Sequence, residues 1–216
     1  MTEVERALAE PIEESSDARL FEVVHKGITM AVQNPVRRKL TYEDYVLFPD
    51  DGNRHEILDG EHFVTAAPHL WHQSVVAELI SRMTPFVRRH NLGWLYPAPA
   101  DVLLSEHDTV QPDLLFVSKA RAHILTEKNV QGAPDLVVEI LSPSTRRRDE
   151  GLKLERYEVL GVQEYWVVDP KRHAARIYRR SGERLRKVAD LTTAGGDCLT
   201  SPLLPGLEIA LSEIYL

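Results

Sequence analysis

Cysteine is almost absent: Cys198 is the only one in 216 residues. One thiol excludes an intrachain disulfide and fits a reducing compartment. No apolar run approaches the roughly 18 residues of a membrane-spanning helix. The first residues, MTEVERALAEPIEESSD, are acidic and lack the basic-then-apolar layout of a secretion signal. The expected location is therefore the cytoplasm, with no membrane partner. Internal repeats, low-complexity tracts, a zinc-ligand set and a helix-turn-helix are also missing, so no dedicated head for reading a DNA sequence stands out.

What is present suits a globular chain. Hydrophobic residues make up 43% and charged residues 27%, enough for one core plus an appendage. The net charge of −7 argues against an all-over basic nucleic-acid binder. The charge is uneven, however. Residues 141–190 hold 13 Lys/Arg against 8 Asp/Glu, while the remainder holds 13 against 25. That basic stretch is either a solvated mixed-charge surface or a local attractor for phosphate.

Residues 1–36 read as a loosely ordered N-terminal arm with room for a short helix or strand in FEVVHKGITMAV, and 37–216 as a single domain. Thr41 with Asp44 three residues on marks a helix start. In RHEILDGEHFVT two alternating runs flank Asp59-Gly60, a strong hairpin signal. Val75, Val76, Leu79, Ile80 and Met83 fall at helical spacing within 69–90, where Pro85 predicts a kink or an early end. WLYPAPADVLLS reads as one or two strands, QPDLLFVS as another, and PDLVVEIL as a strand apolar enough to be central. DEGLKLERYEVL is helical and closed by Gly161. EYWVVDP pairs with AARIYRR, and SGERLRKVADL forms a further hairpin. Residues 195–216 read as loops and a short terminal segment. The fold class is mixed α/β, one domain with helices flanking a mixed sheet.

One residue is out of place in this pattern. Side chains alternate along a strand, so Asp135, Val137, Glu139 and Leu141 share one face and Leu136, Val138 and Ile140 the other. Glu139 thus lies among apolar neighbours, where an isolated carboxylate is costly. If the strand begun by Asp113 lies alongside, two carboxylates converge, and two hard oxygen donors with room for water suit Mg²⁺ or Mn²⁺. Asp149, Lys153 and Tyr157 follow at helical spacing on one face. Lys153 is then placed to point back at the carboxylates. The plainer alternative is a structural ion pair between Glu139 and Lys153 or Arg156, with Asp113 and Asp135 merely starting strands.

EILDGE, QPDLLFVS, APDLVVEILSPST and KLERYEVLGVQEYWVVDP together resemble the bacterial "putative restriction endonuclease" family within the PD-(D/E)XK nuclease superfamily, over roughly 40–185. The resemblance implies a restriction-endonuclease-like αβββαβ core, here with an N-terminal hairpin extension, and Mg²⁺-dependent cleavage of DNA. By position it makes Asp113 and Glu139 metal ligands. The superfamily's lysine normally sits two residues after the (D/E), but that position is Leu141. Lys153 on the following helix is the natural replacement. Glu56 matches an acid of the family's opening hairpin and is either a third metal carboxylate or a cross-strand surface residue. His72 matches a recurrent histidine at a helix start, read as a cap or polar contact before a ligand. Arg146, Arg147 and Arg148 are candidates for phosphate contacts. Dimerisation fits a nuclease that cuts both strands. The competing reading is a nucleic-acid-binding or dimeric scaffold module that keeps the fold and has lost cleavage.

Overall fold

The computed structural model describes residues 38–215 and, before them, an antiparallel strand pair, β1 (Glu22–His25) and β2 (Ile28–Ala31). The remainder of the expected N-terminal arm lies outside the described residues. The body from Arg38 onward is its own compact unit.

Its first helix, α1 (Tyr42–Tyr45), starts where Thr41 and Asp44 predict. The Asp44 carboxylate accepts the Thr41 backbone N–H at 2.9 Å. The hairpin of β3 (Arg54–Leu58) and β4 (Glu61–Thr65) turns on Asp59 and Gly60, both at positive φ, 51° and 82°. A turn with two left-handed positions matches strand twist and selects this dipeptide. Helix α2 (Leu70–Arg89) carries Pro85 in its interior and runs on past it, so the early end that the sequence allowed does not occur. Met83 and Val87 are buried on either side of the proline. One lost backbone hydrogen bond is outweighed by that packing, each such side chain contributing about 1.5–3 kcal/mol.

WLYPAPADVLLS becomes two strands in different sheets, β5 (Gly93–Pro97) and β6 (Val102–Ser105). After β7 (Asp108–Val110) come β8 (Leu114–Ser118), the short β9 (Val130–Gln131) and β10 (Leu136–Ile140). A helical run then crosses over: α3 (Arg146–Arg148), a π-helical stretch Asp149–Lys153, and α4 (Leu154–Leu160), closed by Gly161 at φ 98°. It delivers the chain to β11 (Glu164–Asp169), parallel to β10, as a helical crossover allows. β12 (Ala174–Ser181) and β13 (Arg184–Thr192) extend the sheet by hairpins. The segment expected to be loops contains another hairpin, β14 (Cys198–Ser201) with β15 (Leu204–Ala210). Its Leu199, Leu204, Leu207 and Ile209 are buried, so core contact rather than a strong turn signal makes these strands.

The main sheet has the order β13-β12-β11-β10-β8-β5 and a second has β4-β3-β7-β6-β9. The series α2, β5, β8, β10, α3/α4, β11 is the expected αβββαβ core. The alternation read from LVVEI is borne out: Leu136, Val138 and Ile140 pack with α2, while Val137 and Leu141 pack with Tyr157 and with Leu58, Val102 and Val110 of the second sheet. No helix among the described residues is long and apolar enough to cross a membrane.

Candidate active site

Asp113 immediately precedes β8, and β8 pairs antiparallel with β10 with Val138 opposite Leu114. Carrying that register on by one residue sets Glu139 opposite Asp113. Directly opposed side chains share a face, so the sequence places both acids on one side of the sheet, at the end of the β8–β10 ladder. Both line a cavity of about 120 Å³, together with Arg54, His72, Ser142, Arg148, Asp149 and Lys153.

The two acids are held in different ways. Asp113 is held through both oxygens, with a single bond on Oδ1. Its Oδ1 accepts from Arg54 at 2.8 Å, and its Oδ2 from His72 Nε2 at 2.9 Å and the Ile140 backbone N–H at 2.8 Å. Burial works against its ionisation, but these donors prevail and hold it down to about 2. Glu139 uses one oxygen only. Its Oε1 accepts from Lys153 Nζ at 2.9 Å and Tyr157 Oη at 2.8 Å, while Oε2 has no hydrogen-bond partner among the described residues. Burial pushes Glu139 up to about 8, and the charges of Asp113, Asp149 and Glu56 add to that against the pull of Lys153.

Lys153 is the hub, 1% exposed. Its ammonium lies 2.7 Å from Glu56 Oε1, 2.9 Å from Glu139 Oε1 and 3.9 Å from Asp149 Oδ1. Burial opposes its charge, yet the three acids raise its pKa above the usual lysine value. One ammonium cannot satisfy three buried acids equally. Glu56 also has the Gln111 backbone N–H at 3.0 Å and Arg148 at 3.4 Å, and despite its burial it is held below its usual value. Glu139 and Asp149, with less help, are pushed up, burial being the main cause for each. This division explains why two acids on the same lysine shift in opposite directions.

The helical crossover sets this geometry. The π-helical stretch holds Asp149 and Lys153 on its buried side, and π-bulges are frequent at functional sites. A lysine two residues after Glu139 would share its face, but Leu141 takes that place in the core. The ammonium arrives instead from the helix packed above.

The remaining candidates separate. Arg148 lines the cavity, donates to Thr65 Oγ1 at 2.5 Å and stacks over Phe63. Arg146 turns away to Asp169 at 2.8 Å and Glu150 at 3.1 Å, and Arg147 is exposed. Successive helical residues project about 100° apart, so three consecutive arginines cannot share one target. His72 is buried and bonded to Asp113. Arg54 and Tyr157, which touch the acids directly, carry little sequence signal for that contact: Arg54 is a hairpin residue, and only the spacing of Tyr157 from Lys153 hints at its role.

The residues fit a divalent cation. Glu139 has a free oxygen beside ionised Asp113. Glu56 Oε2, 3.4 Å from Arg148, and Asp149 Oδ1, 3.9 Å from Lys153, are buried with charged neighbours but without hydrogen bonds. Among the described residues no three His, Cys, Asp or Glu side chains form a ready-made cage. A cation here would use two carboxylates and complete its shell with water or phosphate oxygens, the habit of Mg²⁺.

Comparison with known proteins bears on the fold and the family. The fold is similar to the crystal structure of a "putative nuclease" of the DUF820 group from Anabaena variabilis, with a TM-score of 0.67 and 16% identity over 82% of this chain and 97% of that one. A search of curated proteins gives no match. The family model Uma2, described as "Putative restriction endonuclease", matches residues 42–212. A match over most of the folded body settles membership: the chain belongs to the Uma2 family, described as putative restriction endonucleases.

Proposed function

We propose that the chain is a divalent-metal-dependent endonuclease that hydrolyses DNA phosphodiester bonds, with Asp113 and Glu139 holding Mg²⁺ or Mn²⁺ and Lys153 assisting. The observation that carries this reading is the register of β8 against β10. It faces the two acids into one cavity, with the Lys153 ammonium 2.9 Å from Glu139. DNA as the substrate rests on the family description.

A bound cation would polarise a phosphoryl oxygen and make a bound water more acidic. The protein's own groups then have definable tasks. Arg54, His72 and the Ile140 N–H keep Asp113 ionised and oriented. Tyr157 and Lys153 fix Glu139 through Oε1, leaving Oε2 for the cavity. With its raised pKa, Lys153 remains an ammonium. It therefore acts as a fixed charge beside the developing phosphorane charge and not as a base. Arg148, whose Nε is buried without a hydrogen bond, is the member of the basic triplet positioned for a phosphate oxygen.

The test is cleavage of supercoiled plasmid and of single-stranded DNA with Mg²⁺ or Mn²⁺ by the wild type, Glu139→Ala and Lys153→Ala, each checked for folding by circular dichroism. Cleavage that needs metal and is lost in both variants supports the reading. Equal cleavage by Glu139→Ala would reject it.

A further inference from the structure

The cavity holding the acids shares His69, His72 and Ser142 with a neighbouring larger one of about 430 Å³, lined also by Trp71, Leu141, Pro143, Lys171 and His173. No acidic residue lines it, in contrast to the site next door. Lys171, at its rim, has no ion pair among the described residues. Trp71 stands 67% exposed on the first turn of α2, one residue before the buried His72 that binds Asp113. An indole left in water so close to the catalytic acids is not used by the core.

We infer that this second cavity is a subsite for an unpaired nucleobase, which stacks on Trp71 while the adjoining phosphate sits among Lys171, His69 and His173. The inference rests on the nuclease reading above and deepens it, because it makes single-stranded DNA the favoured substrate class. Charge complementarity supports the occupant: an apolar floor with an acid-free rim that carries the Lys171 ammonium matches a base with its phosphate. Continuity supports it further, since His72 and Ser142 line both cavities and a strand crossing the acids would run directly onto the indole. Base faces in a duplex are covered by their neighbours, so an indole stacks only on a base that is unpaired or at a strand end.

The experiment is fluorescence anisotropy of a labelled single-stranded oligonucleotide and of its duplex, in EDTA so that nothing is cut, with wild type, Trp71→Ala, Trp71→Phe and Lys171→Ala. Trp71 is exposed, so its replacement should not unfold the chain. Trp71→Ala is expected to weaken single-strand binding by about 5- to 150-fold, the usual range for one lost stack. Trp71→Phe should keep most of the affinity, and duplex binding should change by less than about twofold in either variant. Lys171→Ala should reduce the salt dependence of binding by about one phosphate contact. Single-strand affinity unaffected by Trp71→Ala overturns the subsite, as does an equal loss on duplex or no DNA binding by the wild type. The two readings fail separately. Trp71-dependent binding without metal-dependent cleavage would sink the nuclease and keep the subsite. Cleavage that is lost in Glu139→Ala, with binding indifferent to Trp71, would do the reverse.

Discussion

Replacing Lys153 with methionine removes the ammonium and leaves a side chain of similar length. Lys153 is 1% exposed and within 2.9 Å of both Glu56 and Glu139, so the variant leaves buried acids uncompensated, a change that costs about 3–5 kcal/mol. For a body of this size that corresponds to about 6–20 °C in Tm. The loss depends on pH. An acid whose folded-state pKa exceeds its unfolded value binds protons more tightly when folded, so stability falls as pH rises between the two values. For Glu139 that window runs from 4.5 to about 8. In the variant Glu56 loses the lysine that holds it down and joins the same behaviour. The gap between wild type and Lys153→Met should therefore be smallest near pH 5 and widest near pH 9 in urea unfolding. Adding Glu139→Gln should recover part of it. A loss below about 1 kcal/mol, or one identical at both pH values, would show that Lys153 is not the charged hub of a buried acid cluster.

Other outcomes follow from the same contacts. Glu139→Gln should abolish metal-dependent cleavage yet stabilise the fold above pH 8, read by thermal melts across pH. Asp113, held near 2, contributes stability that is complete above its ordinary 3.8 and lost as pH falls toward 2; Asp113→Asn should remove that acid limb from a pH titration of urea midpoints. Tyr157→Phe should cost about 1 kcal/mol for the hydrogen bond to Glu139, measured by urea unfolding, and lower cleavage at pH 7 by further favouring protonated Glu139. Gly93→Ala would drive a Cβ to 2.1 Å from the Val117 carbonyl oxygen; a melt should show the protein destabilised by more than about 2 kcal/mol.

Much of the candidate site's geometry is legible in the sequence because strand alternation is strict. The alternation of LVVEI by itself assigns Glu139 to one face of its strand, and a proline-aspartate pair opening the neighbouring strand supplies the other acid. The spacing of Asp149, Lys153 and Tyr157 likewise survives the π-helical stretch, since all three are buried around the same acids. Three features are not legible. Local propensity marks Pro85 as a breaker, while packing of Met83 and Val87 carries the helix past it. The β14–β15 hairpin exists because its leucines cap the core, a tertiary cause. The targets of the arginines depend on which acids the fold brings near: Asp169 captures Arg146 and Glu56 engages Arg148, and neither partner is adjacent in sequence.

The central claim is that Asp113 and Glu139 form one divalent-cation site, and calorimetric titration of Mn²⁺ into the wild type and Glu139→Gln tests it most directly. The account predicts one site in the wild type, tighter as pH rises toward 8 because the metal must displace the Glu139 proton, and loss of that site in Glu139→Gln. Mn²⁺ binding of the same strength in the folded Glu139→Gln variant would contradict it.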